Sequence, residues 1–135
     1  MSSLHQKYQD HYTLFIETGF IAVNQMDTHS ALALFKAAKH LDADNPLSEL
    51  GMAYYHLCRL EITPCLNCVN HVLKKDPHHQ MALAFKAMAQ LFSTSQVKEG
   101  KKILEELKTS SDANVKKFSE QGLEFMEKFV NKQAR

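Results

Sequence analysis

The chain has 135 residues, a length typical of one domain with room for a hydrophobic core. Its composition, 44% hydrophobic with four glycines and three prolines, favours a packed and mostly helical chain over a disordered one. The formal net charge is +1 with both signs interspersed, so composition gives no basis for binding nucleic acid, an anionic membrane or acidic partners.

Cysteine content and hydropathy predict the compartment. Three cysteines are an odd number, and a chain of this length does not need a disulfide framework to fold. The first ten residues are polar, and they lack the apolar segment of a signal peptide. No apolar run approaches the roughly 18 residues of a membrane span. We therefore expect a cytoplasmic protein without membrane association.

Hydrophobic periodicity and turn signals predict seven helices. The polar segment at residues 1–11 either extends the first helix or frays. No strand-like alternation occurs, so the predicted fold class is all-α. The predicted helices, with approximate bounds, cover residues 12–25, 30–41, 46–58, 64–74, 79–92, 93–108 and 114–132.

The stretch 19–43 carries the most specific pattern in the chain. Small residues at Gly19, Ala31 and Ala38 flank the aromatic Phe35. The intervals between these four residues, 12, 4 and 3 positions, fit two antiparallel helices that touch through small residues, with Gly19 against Ala31. The pattern resembles the tetratricopeptide repeat, a helix–turn–helix unit of about 34 residues.

Related positions recur twice more along the chain. The second unit places Gly51 opposite Cys65, and the third places Ala87 opposite Gly100. The resemblance implies three degenerate repeats, which is about the number that a stable array of this kind needs. A last helix then caps the exposed end, although a partner-binding helix is the alternative. The predicted ranges are a polar segment at 1–11, repeats at 12–45, 46–79 and 80–114, and a capping helix at 115–135.

A Cys65-x-x-Cys68 pair followed by His71 raises the alternative of a zinc or redox site. No second cysteine pair follows, and no βαβ pattern surrounds the pair. A buried cysteine also packs much like alanine, which suits Cys65 at a small-residue position. The chain has no glycine-rich phosphate loop, no G-x-S-x-G and no H-E-x-x-H. We expect no enzyme activity, no catalytic residue, no metal and no cofactor.

The resemblance also implies a binding groove, because the first helix of each repeat lines the concave face in that family. The corresponding positions are mostly apolar and rich in methionine, which adapts well to helical partners. Some of them are alternatively core packing. The predicted protein-binding groove consists of Ile16, Phe20, Val23, Met52, Tyr55, His56, Met81, Met88, Leu91 and Phe92.

With its three degenerate repeats, apolar groove and helical tail, the chain resembles the tetratricopeptide-like chaperones of type III secretion. The chain is most similar to the needle-subunit chaperones, which implies a secreted helical client, the needle subunit, held in the groove. The same resemblance implies a second, small helical co-chaperone as a partner. A translocator chaperone of the same system and a general scaffold that bridges folded partners are the alternatives.

Overall fold

The structure is a computed structural model that describes residues 2–130. These residues form seven α-helices and one π-helical segment without a strand, which confirms the predicted all-α fold of helix–turn–helix units with a C-terminal helix. None of the described helices is both long and apolar enough to cross a membrane. The helices are α1 (Ser2–Asn24), α2 (Thr28–Leu41), α3 (Leu47–Cys58), α4 (Ile62–Lys75), α5 (Gln80–Gln90), α6 (Val97–Leu107) and α7 (Ala113–Phe125), and the π-helical segment is Met126–Val130.

The chain divides into two compact units, which we call unit 1 (Met1–Val72) and unit 2 (Leu73–Arg135). Unit 1 contains α1, α2, α3 and most of α4, and unit 2 contains α5, α6, α7 and the π-helical segment. The repeat bounds 12–45, 46–79 and 80–114 stay a prediction.

Helix α1 begins ten residues earlier than the predicted residue 12. Residues 6–11 are all exposed, so no packing pattern marks them as helical. Local interactions suffice, because glutamine and lysine are good helix formers and Gln6 Nε2 donates to Asp10 Oδ1 at 2.9 Å, one turn away. The polar N-terminal segment is therefore the first part of α1 from Ser2 onward, and residue 1 lies outside the described residues.

Phe35 of α2 is the centre of the unit 1 core and is completely buried. An ideal Cβ built at Gly19 of α1 would lie 2.5 Å from Cε1 of Phe35, and a Cβ at Gly51 of α3 would meet the same ring carbons. The predicted partners of these glycines were Ala31 and Cys65, but the three nearest atoms in both cases belong to Phe35. The two glycines therefore form a slot for one aromatic ring.

Tyr12 joins α1 to the start of α3. Its hydroxyl accepts a hydrogen bond from the buried Ser48 N–H at 3.2 Å and donates to the Asn45 carbonyl at 3.5 Å. Burial raises the pKa of Tyr12, and the bonds to Ser48 partly oppose that rise. Asn45 Oδ1 accepts from the Leu47 N–H at 3.1 Å, which fits the predicted helix start near residue 46.

Unit 2 packs α7 against both α5 and α6. The predicted close approach of Ala87 and Gly100 is confirmed, because a Cβ at Gly100 would lie 2.5 Å from the Ala87 carbonyl oxygen. Asp112 Oδ1 caps α7 by accepting from the N–H groups of Asn114 and Val115 at 2.9 and 3.3 Å. The predicted last helix, 114–132, is α-helical only to Phe125, and residues 131–132 lie outside the described residues.

Candidate functional site

Two of the predicted groove residues in unit 1 belong to its core. Ile16 and Val23 are 6% and 7% exposed and cluster with Tyr12 and Phe35. Their side chains therefore stabilise the packing of α1 and offer little surface to a partner. The spacing in the sequence does not separate these positions from groove positions, because both kinds of position are apolar and recur with helical spacing.

The other predicted groove residues of unit 1 are half-buried. Phe20, Met52 and Tyr55 pack against the core cluster and keep part of their surface accessible. The Phe20 ring contacts the Phe35 ring edge-on, with centroids 5.3 Å apart. His56 Nδ1 lies 3.0 Å from Glu61 Oε1. Phe20, Met52 and Tyr55 thus contribute both to the core and to the surface of α1 and α3.

In unit 2 the predicted groove residues are also divided between core and surface. Leu91 is 3% exposed and packs with Ala87, Leu104 and Met126, while Met88 covers this cluster from outside. Met81 is half-buried against Ala84, Leu107 and Val115. The most accessible position is Phe92, which is 41% exposed, with its ring 5.8 Å from that of Phe125.

A cavity of about 280 Å³ lies between the C-terminal halves of α1 and α3 in unit 1. Two predicted groove residues, Val23 and Tyr55, line it. The other four lining residues were not predicted. Three of them, Met26, Thr28 and Arg59, lie in or next to turns outside the predicted helices, and the fourth, Cys58, is the last residue of α3. We call this space the turn cavity, and its lining residues are Val23, Met26, Thr28, Tyr55, Cys58 and Arg59.

The turn cavity has an apolar wall and one cationic rim residue. The Arg59 guanidinium carbon lies 5.5 Å above the centroid of the Tyr55 ring, a cation–π arrangement. Arg59 Nε donates to Glu61 Oε1 at 3.1 Å. The hydrogen bond from His56 and then that from Arg59 lower the pKa of Glu61, so Glu61 stays ionised at neutral pH.

Two larger clefts are less suited to an apolar anchor. The cleft at the start of α1, about 510 Å³, is lined by Tyr8, Tyr12 and five mostly polar neighbours. The cleft between α6 and α7, about 530 Å³, is lined by four glutamates and two lysines besides Leu123 and Met126. The cleft between α6 and α7 is mostly polar and the cleft at α1 is about half polar, so the turn cavity has the largest apolar share of the three.

The cysteines of α4 occupy different surroundings. Cys65 is completely buried, and burial raises the pKa of its thiol to about 12. Cys68 is half-buried next to Glu49, and burial with that carboxylate raises its pKa to about 11. Both thiols are thus protonated at neutral pH, whereas metal binding and thiol exchange use the thiolate.

Glu49 links three helices of unit 1 through polar contacts. Its Oε1 accepts from Lys39 Nζ at 2.7 Å, and its Oε2 lies 3.7 Å from His71 Nδ1. The hydrogen bond to Glu49 raises the pKa of Lys39. In the part of the chain that the structure describes, no three His, Cys, Asp or Glu residues form a group that could hold a metal ion. The geometry is that of a structural ion pair between α2 and α3.

Comparisons of the chain with protein-family models, with curated proteins and with solved structures found no match.

Proposed function

We propose that this chain is a non-enzymatic protein-binding protein that holds an amphipathic client helix on the surface formed by α1 and α3. The observation that carries this proposal is the turn cavity, a concave and largely apolar site lined by the half-buried predicted groove residue Tyr55, with a small contribution from the mostly buried Val23. The half-buried Phe20 and Met52 pack against the same core and extend apolar surface along the two helices. A helix binds such a surface through apolar side chains at positions i, i+3, i+4 and i+7.

The size of the cavity suits a client side chain as an anchor. A space of about 280 Å³ is near the lower limit of the pockets that hold small molecules, about 300–1,000 Å³, and has room for a large apolar side chain. Burying each large apolar anchor contributes about 1.5–3 kcal/mol before ordering costs are counted. Three or four anchors together contribute about 4.5–12 kcal/mol before these costs, so micromolar binding, about 8 kcal/mol net, needs anchors near the upper end of this range.

The resemblance to the needle-subunit chaperones supplies the narrower version of the proposal. In this version the protein is cytoplasmic, the client is a secreted needle subunit, and a small helical co-chaperone binds as well. The client of a translocator chaperone is the alternative within the same system. A general scaffold for folded partners is the second alternative, and it predicts that folded domains bind better than isolated helical peptides.

A display library of amphipathic helical peptides, selected on the full-length protein, tests the proposal. We expect enriched peptides to share apolar residues at helical spacing and to bind with micromolar or lower Kd in fluorescence anisotropy. Tyr55→Glu should weaken that binding at least tenfold, because it places a carboxylate in the apolar turn cavity. Tyr8→Glu is the matched control, because Tyr8 is 52% exposed and lies outside the turn cavity.

Circular dichroism must show that both variants keep the helical content of the parent. The proposal is wrong if the library yields no helical binder. It is also wrong if a folded Tyr55→Glu variant binds the selected peptides as tightly as the Tyr8→Glu variant does.

A further inference from the structure

Two turns of unit 1 place large apolar residues in a backbone conformation that glycine normally occupies. Met26, after α1, has φ 62°, and Leu60, after α3, has φ 59°. In the described residues these are the two non-glycine positions with positive φ. For a side chain with a Cβ, this left-handed region brings the Cβ too close to the following carbonyl oxygen, so both residues are strained.

Packing within unit 1 does not explain these residues. Met26 is 85% exposed and Leu60 is 62% exposed, so neither side chain adds much to the core. Glycine or asparagine would end the helices with less strain and without exposed apolar surface. A residue in the left-handed region is a common way to end an α-helix, and here the Asp27 N–H donates to the Ala22 carbonyl and the Glu61 N–H to the His56 carbonyl in that pattern. The unusual feature is the residue type, because both positions carry a large apolar side chain instead of glycine or asparagine.

The two residues lie at the same end of unit 1 and next to the same cavity. Met26 lines the turn cavity directly, and Leu60 follows Arg59, which lines it from the other turn. Met26 therefore borders the turn cavity itself, and Leu60 lies in the turn whose neighbouring residue borders it.

Arg59 places a positive charge at the end of unit 1 that contains the turn cavity, and this charge favours an acidic group on the client. Of the six residues that line the turn cavity, Arg59 carries a charge. Its Nε is bonded to Glu61, while its four Nη N–H groups make no hydrogen bond to the residues that the structure describes. A guanidinium with unused donors next to an apolar cavity complements a carboxylate, which accepts such donors with good geometry.

We propose that Met26, Arg59 and Leu60 select client helices in which the apolar anchor has an Asp or Glu one helical turn away. Side chains three or four positions apart on a helix lie about 5–6 Å apart. The Arg59 guanidinium lies 5.5 Å from the centre of the Tyr55 ring that lines the cavity, so one helix can reach both sites. This inference rests on the proposed function, because it names the chemistry of the helix that the turn cavity receives.

The first test repeats the peptide selection with a charge change at Arg59. The parent should enrich Asp or Glu three or four positions from the anchor, and Arg59→Gln should lose that enrichment. For the tightest peptide selected by the parent, changing this acidic residue to its amide should weaken binding about two- to fivefold, since Arg59 is partly exposed, and unchanged affinity would contradict the inference. The peptides carry a C-terminal amide, so that the carboxylate comes from a side chain.

The second test removes the strained side chains. Met26→Gly combined with Leu60→Gly should raise the urea midpoint of unfolding and yet weaken binding of the same peptide at least tenfold. The control is Leu14→Ala combined with Ile21→Ala, two exposed apolar residues of α1 outside the turn cavity, which should leave binding within twofold.

The outcomes separate the two proposals. If no helical peptide is selected, the proposed function and this inference both fail. Helical binders without acidic enrichment, or with unchanged affinity for the double glycine variant, overturn this inference alone. A lower urea midpoint for the double glycine variant also overturns it, because it would show that the side chains stabilise unit 1 itself.

Discussion

The slot around Phe35 gives a sharp test of the packing in unit 1. The perturbation is Gly19→Ala, which adds one methyl group to α1. The new Cβ would lie 2.5 Å from Cε1 and 2.9 Å from Cδ1 and Cζ of the Phe35 ring. Non-bonded carbon atoms prefer about 3.5–4.0 Å, so the ring or the helix must move by about 1 Å. Gly51 on α3 leaves the ring no room on that side, because the same ring atoms are its nearest neighbours.

The expected free-energy change combines two opposing effects. Overpacking a core destabilises by about 1–3 kcal/mol, whereas alanine is favoured over glycine within a helix by about 0.8–1 kcal/mol. The net loss for Gly19→Ala is therefore about 0–2 kcal/mol. In a Phe35→Leu background the ring edge is absent, so the same change should stabilise by up to about 1 kcal/mol. The double-mutant cycle should thus give a coupling of about 1–3 kcal/mol.

Tyrosine fluorescence during urea unfolding is the assay for this cycle. All four tyrosines lie in unit 1 and the chain has no tryptophan, so the signal reports unit 1. Gly122→Ala in unit 2 is the control, because its Cβ would meet the flexible ends of Leu104 and Met88 at 3.1 Å. That change, followed by circular dichroism, should be neutral or stabilising. A coupling between positions 19 and 35 below about 0.5 kcal/mol would refute the slot.

The remaining predictions concern buried polar groups. Because the thiol pKa of Cys65 is raised from 9.0 to about 12 by burial, the native state keeps a proton that the unfolded chain loses above pH 9. The free energy of unfolding should therefore fall by about 1.4 kcal/mol per pH unit above pH 9 through this group. Cys65→Ala should make this decrease with pH less steep, as measured by urea unfolding followed by circular dichroism. Equal slopes in both proteins would contradict this. Ser119 is buried, and its Oγ has no hydrogen-bond partner among the residues that the structure describes, so Ser119→Ala should raise stability by about 0.5–2 kcal/mol, as checked by the same method. In contrast, Ser48→Ala should lower it by about 0.5–1.5 kcal/mol, because Ser48 Oγ donates to the Asn45 carbonyl at 3.4 Å, and equal effects at both serines would contradict the assignment.

The sequence by itself determined the fold class and the positions of most helices. The predicted second helix, 30–41, corresponds to α2 at Thr28–Leu41, and the predicted third, 46–58, to α3 at Leu47–Cys58. These helices carry apolar residues at helical spacing, and that spacing is a local property which a sequence states directly. The close approach of Ala87 and Gly100 was also predictable, since small residues at matching positions mark a tight helix contact.

The tertiary structure alone decided which apolar residues face the core and which glycine meets which side chain. Val23 and Met26 are three positions apart on the same chain segment, yet Val23 is 7% exposed and Met26 is 85% exposed. The difference arises because the backbone leaves the helix at Met26, with positive φ, and turns that side chain outward. Gly19 and Gly51 likewise share Phe35 because three helices meet there. Such contacts depend on where distant segments pack, and helical periodicity carries no information about that.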